Sequence, residues 1–263
     1  MKKFSKKIET PAFRNVMMSI LFSALAMEAS AQKAPMALPQ AGYYHMEIGD
    51  IDVIALSDGS ISQDMDKLLT NVKPGEVKNL SELSFQEPLV ELSVNAYLFK
   101  SNGKLILVDA GTSDLFGPTL GYLPESFAKA GFKPEDVDII LITHIHSDHT
   151  GGLMRGDKMV FPNATLYVSQ KEYDFWLTPK NYSEAATAMK PYFEQAIQKM
   201  DPYVKAGKVK TFAFGKEIFP GILPIASPGH TPGHSFYQVS SKGETILFWG
   251  GYYALSACPI CKY

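Results

Sequence analysis

The chain has 263 residues, 46% hydrophobic and 20% charged, a balance that excludes a disordered or fibrous protein and suits one α/β domain. Its 25 basic and 27 acidic residues give a formal net charge of −2, without the basic surplus of a nucleic-acid-binding surface. Both cysteines, Cys258 and Cys261, lie in the last six residues, so no disulfide framework spans the fold.

The N-terminus has the pattern of an export signal. Lys2, Lys3, Lys6, Lys7 and Arg14 precede an apolar run, Val16–Met27, and Ala29-Ser30-Ala31 fits a cleavage site before Gln32. The run has 12 residues, short of the about 20 that a membrane span needs. Residues 1–31 are expected to be removed, leaving a periplasmic or secreted domain over 32–263 without a membrane span. Losing five basic and two acidic residues leaves 20 and 25, a charge of −5.

Beyond an Ala/Pro-rich lead-in, Tyr44–Ile48 and Ile51–Leu56 are expected strands joined by a turn at Gly49-Asp50. Residues 58–92 read as a long irregular excursion. Val94–Lys100 and Lys104–Val108 flank Asn102-Gly103, a pair that tolerates φ > 0 and suits a tight hairpin. A helix is expected over Pro124–Ala130, ending at Gly131, and a buried strand over Val137–Thr143. Thr165–Val168 is a short strand. Ser169 and Glu172 have capping-box spacing and open a helix toward Trp176. Ser183–Met200 has helical spacing, and strands resume at Val209–Phe214, Gly221–Ala226, Phe236–Val239 and Thr245–Trp249. Strands and helices mix without repeats or an internal linker, which predicts one α+β, or layered α/β, domain with its chemistry in strand-end loops.

The chemistry-bearing segment is Thr143-His144-Ile145-His146-Ser147-Asp148-His149-Thr150-Gly151-Gly152, holding three of the six histidines. At this composition His-x-His-x-Asp-His arises by chance with a probability of about 10⁻⁴. Imidazoles suit zinc and related divalent ions, and a carboxylate adds a harder, charge-compensating ligand. Alternation along the chain points His144 and His146 the same way, and the turn after them lets Asp148 and His149 face a second metal. A second segment, Ser227-Pro228-Gly229-His230-Thr231-Pro232-Gly233-His234, presents His230 as a ligand and His234 as a supporting group. Leu107-Val108-Asp109-Ala110-Gly111 ends a strand, and Asp109 is expected to orient ligands and form the turn rather than ligate. His45, in a strand without a partner pattern, reads as structural or solvated.

These three motifs, in this order, resemble the metallo-β-lactamase superfamily, and most of all its exported hydrolases of the methyl parathion hydrolase type. The resemblance runs over residues 42–249 and includes Ala55-Leu56-Ser57-Asp58-Gly59, Leu115-Phe116-Gly117-Pro118-Thr119-Leu120-Gly121, Asp174-Phe175-Trp176-Leu177 and Asp201-Pro202-Tyr203-Val204-Lys205-Ala206-Gly207. It implies an αββα sandwich with a two-zinc site at one edge. His144, His146 and His230 would hold the first zinc, and Asp148 and His149 part of the second. Hydrolysis would use a metal-bound hydroxide, with Asp148 also orienting the nucleophile. The implied substrate is a small apolar or aromatic ester, lactone or organophosphate triester, held among Phe116, Trp176, Tyr192 and Phe193. The oligomeric state is open, a homodimer included.

The resemblance breaks where the family has a strand ending in Gly-Asp, whose carboxylate bridges both metals. Here Thr245–Trp249 is followed by Gly250-Gly251, and neither that Asp nor the last histidine ligand is found in residues 250–263. One zinc at most is then expected. A frame displaced by one base within Gly250 can spell Gly-Asp-Ile-Met-His-Leu-Ala-Pro-Val-Gln-Phe, which suggests a shifted frame and a C-terminal truncation. On that reading Cys258-Pro259-Ile260-Cys261 is accidental. The alternative function is a catalytically impaired remnant or a one-metal binding protein.

Overall fold

The computed structural model describes residues 41–69, 72–113 and 115–251. The expected export signal and the tail with Cys258 and Cys261 lie outside the described residues.

A seven-stranded sheet runs in the order β1-β2-β3-β4-β5-β8-β9. Its strands are β1 (Tyr43–Ile48), β2 (Ile51–Asp64), β3 (Leu89–Ser101), β4 (Lys104–Val108), β5 (Ile139–Leu141), β8 (Thr165–Ser169) and β9 (Val209–Phe212). The first four pair antiparallel, and β4, β5, β8 and β9 pair parallel. A small hairpin, β6 (Met154–Arg155) and β7 (Lys158–Met159), interrupts the order. A second, antiparallel sheet holds β10 (Ile222–Ala226), β11 (Ser235–Ser241) and β12 (Glu244–Phe248).

Alternation along the central strands explains the layers. In β4, Leu105 and Leu107 face one core while Ile106 and Val108 face the other; in β5, Ile140 opposes Ile139 and Leu141. The first face packs on helices through Phe127 (helix Leu123–Lys129), Trp176 (helix Gln170–Leu177) and Phe193, Met200 and Tyr203 (helix Lys190–Lys205). The second packs on Ile222, Tyr237, Val239 and Phe248 of the smaller sheet. Strands apolar on both faces are what a sheet buried between two layers requires. This is the layered α/β fold expected, seen as helix, sheet and sheet. Among the described residues no helix packs on the outer side of β10–β12, where Leu247 is exposed.

The Asn102-Gly103 hairpin forms with both residues at positive φ, and the helix ahead of Gly131 ends as its sequence indicates. Two expectations need correction. The segment 58–92 is not irregular: β2 runs on to Asp64 and pairs with β3 through a bulge at Ser57/Gly59, followed by a helix at Glu76–Leu83. Polar, turn-prone Asp58-Gly59-Ser60 hides this strand, and cross-strand pairing overrides local propensity. Nor is 183–200 one helix, because extended backbone at Ala185 and Ala186 separates Pro179–Glu184 from Lys190–Lys205.

Candidate metal centre

The site forms where the end of β5 meets the loop between β10 and β11. Ser235 N–H donates to the Thr143 carbonyl (2.9 Å) and the Tyr237 hydroxyl to the Ile142 carbonyl (2.8 Å). The second sheet is thereby fixed against the residues that launch the histidine motif. After His146 the chain makes a short turn, with Thr150 N–H donating to the His146 carbonyl (2.9 Å). The turn then passes so close beneath the 109–113 loop that a Cβ on Gly152 would lie 1.8 Å from the Ala110 carbonyl oxygen. Only glycine fits there.

Two groups of ligand atoms result, each with its atoms within 4.8 Å of one another: His144, His146 and His230, and His144, Asp148 and His149. In the first, His230 Nε2 lies 3.1 Å from both His144 Nε2 and His146 Nδ1. A tetrahedral zinc with bonds of about 2.0–2.1 Å sets its donor atoms about 3.3 Å apart, so this spacing suits one shared ion. Burial and the crowding of neighbouring rings push His144 well below its ordinary pKa and His146 down to about 4, and burial lowers His230. All three are therefore neutral donors at pH 7.

The supporting hydrogen bonds fix which nitrogen faces inward. Thr143 Oγ1 donates its one proton to Asp109 Oδ2 (2.8 Å), so toward His144 Nδ1 (3.1 Å) it accepts. The N–H is then on Nδ1, and Nε2 keeps its lone pair for the centre. Asp109, at φ 59 at the end of β4, also accepts from Thr143 N–H (2.8 Å) and from His149 Nδ1 (2.7 Å). His149 Nε2 faces Asp148 Oδ2 at 3.1 Å. Burial works against a charge on His149, but Asp148 and Asp109 outweigh it and raise its pKa to about 10. For Asp148 burial is likewise outweighed by His149, and the carboxyl falls below its usual range. A ring held between two carboxylates favours a cation, which is the environment a second ion needs.

The residues expected around a substrate divide. Tyr192 is half-exposed with its ring 6.1 Å from that of His146. Trp176 is buried and packs edge-on against His146 at 5.2 Å. Phe193 is buried behind Trp176, at 4.8 Å, and belongs to the core. Phe116 lies on the surface without a ring contact to the histidines among the described residues. His234 is buried 4.8 Å from the His144 ring, its pKa lowered to about 4, chiefly by burial. His45 is exposed and pairs with Asp52 (3.0 Å).

Sequence reasoning assigned Glu172 to a capping box. Ser169 does cap the helix, accepting from Glu172 N–H (3.2 Å), but the Glu172 carboxylate turns elsewhere. Fully buried, it accepts from Ile145 N–H (2.9 Å), Trp176 Nε1 (2.8 Å), Thr231 Oγ1 (2.7 Å) and Gly233 N–H (2.9 Å). It ties the loop carrying His144 and His146 to the loop carrying His230. Asp58 was missed similarly: it accepts from Thr112 N–H (2.7 Å) and Leu123 N–H (2.9 Å) and anchors the loop after Asp109.

Fold and donor set together define a two-sheet α/β protein with a histidine-rich metal centre at the strand ends. The chain belongs to the metallo-beta-lactamase superfamily, whose family model matches residues 89–250. It is similar to the N-acyl homoserine lactonase AiiA of Bacillus thuringiensis subsp. kurstaki, at 27% identity over 180 residues. That match covers 60% of this chain and 64% of the lactonase, so the chain spans just under two thirds of the relative's length. The crystal structure of AbOPH, a hydrolase in the beta lactamase superfamily, aligns with a TM-score of 0.74 at 35% identity, covering 81% of this chain and 74% of AbOPH. AidC, a dizinc quorum-quenching lactonase solved with a product N-acyl-L-homoserine, aligns with a TM-score of 0.67 at 28% identity, covering 78% and 73%.

Proposed function

We propose that the protein is an exported zinc-dependent hydrolase that opens lactones or cleaves related uncharged esters. The observation that carries this is the convergence of three neutral imidazoles, with His230 Nε2 3.1 Å from a nitrogen of each of the other two, brought together from two separate loops. A divalent ion held by these donors supplies Lewis acidity and lowers the pKa of adjacent water toward 7.

The chain's own groups do the rest. Thr143 and Asp109 hold the His144 and His149 rings in the orientation that leaves Nε2 of each facing inward. Asp148, half-exposed and too acidic to keep a proton at neutral pH, accepts a hydrogen bond from the attacking water and orients it. Tyr192 and the edge of Trp176 flank His146 with aromatic surface suited to an acyl or aryl group. In the overall reaction the water oxygen bonds to the carbonyl carbon, the ester C–O bond breaks and a proton of the water passes to the freed oxygen, so that a lactone gives one hydroxy acid and an open-chain ester gives an acid and an alcohol. The lactonase relatives favour a lactone as substrate. The sequence resemblance to methyl parathion hydrolase-type enzymes keeps organophosphate triesters within the proposed class. A binding protein or inactive remnant has less support, because the relatives are enzymes.

The test is metal content and turnover on purified protein with an N-acyl homoserine lactone, a 4-nitrophenyl ester and an organophosphate triester. Hydrolysis abolished by chelator and restored by zinc, and lost with the metal in His230→Ala, is expected. Full turnover in metal-free protein would overturn the reading.

A further inference from the structure

We propose that a cavity behind the metal centre, bounded by the loop 113–121 and the β6–β7 hairpin, binds a medium-chain aliphatic carboxylate, with its charged head at Arg155 and its tail against an apolar inner wall.

The loop is built as an arch. Both of its ends are fixed to one buried carboxylate: Asp58 Oδ2 accepts from Thr112 N–H (2.7 Å) and Thr112 Oγ1 (2.6 Å), and Oδ1 accepts from Leu123 N–H (2.9 Å). Gly121, at φ 88, approaches Ser113 so closely that a Cβ would lie 2.5 Å from its carbonyl oxygen, so the two ends meet. The far side is tied to β2, where Ser60 N–H donates to the Thr119 carbonyl (3.1 Å). A loop closed and pinned in this way holds its shape from its own ends.

Between the arch, the helix Leu123–Lys129 and the β6–β7 hairpin lies a cavity of about 380 Å³, inside the range of about 300–1,000 Å³ that ligand pockets span. Its inner wall is apolar: Leu120, Leu123, Phe127 and Phe161 are buried, and Val160 is partly so. Among the described residues that line it, two are charged. Asp58 is buried and its oxygens already accept three hydrogen bonds, so it lies deep and offers a ligand nothing. Arg155 is exposed, which sets its guanidinium at the mouth. An apolar interior with a cation at the mouth selects a carboxylate on an aliphatic tail over a cationic amphiphile. Among the described residues, none of the side chains gathered at the metal centre lines this cavity. Ala110 and Gly152 stand between the two, with Ala110 N–H donating to the His149 carbonyl (2.8 Å).

The zinc-loaded full chain is titrated by calorimetry with octanoate, hexanoate, octanol and octyltrimethylammonium. Octanoate is expected to bind once per chain and more tightly than octyltrimethylammonium. Hexanoate should bind about tenfold more weakly, because two methylenes no longer reach the apolar wall. Arg155→Gln, a surface change, should weaken octanoate about fivefold and leave octanol as it was. Val160→Phe, which takes up the volume, should remove both ligands, and chelator-stripped protein should bind octanoate as the loaded protein does. Octanoate binding that disappears with the metal, or that ignores tail length, would put the carboxylate on the ion and overturn the cavity site. Binding untouched by both Arg155→Gln and Val160→Phe, or no binding at all, would overturn it equally.

Discussion

The carboxylate of Glu172 offers the sharpest test of how the centre is held. It accepts four hydrogen bonds in a fully buried setting, two on Oε1 from Ile145 N–H and Trp176 Nε1 and two on Oε2 from Thr231 Oγ1 and Gly233 N–H. Burial raises its pKa, an effect opposed by those donors. In Glu172→Gln the amide oxygen can keep Ile145 and Trp176, and the Thr231 hydroxyl can turn to accept from the new NH₂. Gly233 N–H cannot, and one buried donor is left unpaired at a cost of about 1–3 kcal/mol. Glu172→Ala orphans all four donors and opens a cavity. Non-additivity and relief of a buried charge keep the loss to about 4–6 kcal/mol rather than the full sum. Urea unfolding of both variants, with zinc titration of each, should show this order, and zinc affinity should weaken already in Glu172→Gln, because the loop with His230 loses its tie. Equal stability of Gln, Ala and the parent within about 0.5 kcal/mol would refute the reasoning.

Three further outcomes follow from the same geometry. Gly152→Ala sets a Cβ 1.8 Å from the Ala110 carbonyl oxygen and should cost about 3 kcal/mol or more, read as a lower urea midpoint; a midpoint unchanged from the parent would contradict the close approach. Removing zinc should lower the melting temperature by about 5–10 °C when the ion was held at about 100 times its Kd, and a chelator-insensitive transition would contradict metal binding. Asp138 is held below its ordinary 3.8, first by its hydrogen bond to Lys104 and then by Leu105 N–H. A lowered carboxyl stabilises the fold above its unfolded pKa and loses that contribution as pH falls through the folded value. Asp138→Asn should therefore melt lower than the parent at pH 7, with the difference closing below pH 3.8; a difference that widens on acidification would contradict the sign.

The residues that gather at the candidate metal centre could be picked out in the sequence because their signal is local. His144, His146, Asp148 and His149 fall within one strand end and one turn, and His230 follows a Pro-Gly turn. Glu172 was not legible as a tie, because the loop groups it joins, Ile145, Thr231 and Gly233, lie 27, 59 and 61 residues away and its local spacing imitates a capping box. The extension of β2 to Asp64 was hidden for the same reason, since its pairing with β3 outweighs the local turn signal of Asp58-Gly59. The break between the helices Pro179–Glu184 and Lys190–Lys205 did leave a trace: Pro179 and Pro191 both sit in a first helical turn, where proline is favoured. Fold layers were readable from Leu105–Val108 and Ile139–Leu141, whose side chains are apolar on both faces.

His230 stands 84 residues from His146 and 86 from His144, yet shares one small space with both. Closing a loop of that length carries an entropic cost that must be met before the contact returns anything. The histidine triad therefore forms only when the start of β11 is held against the residues that follow β5. An ion bound across that junction acts on a contact absent from the earlier, looser ensemble. Its effect falls on the rate at which the two sheets part rather than on the rate at which they meet. An ion held at that junction would then set how long the folded chain lasts.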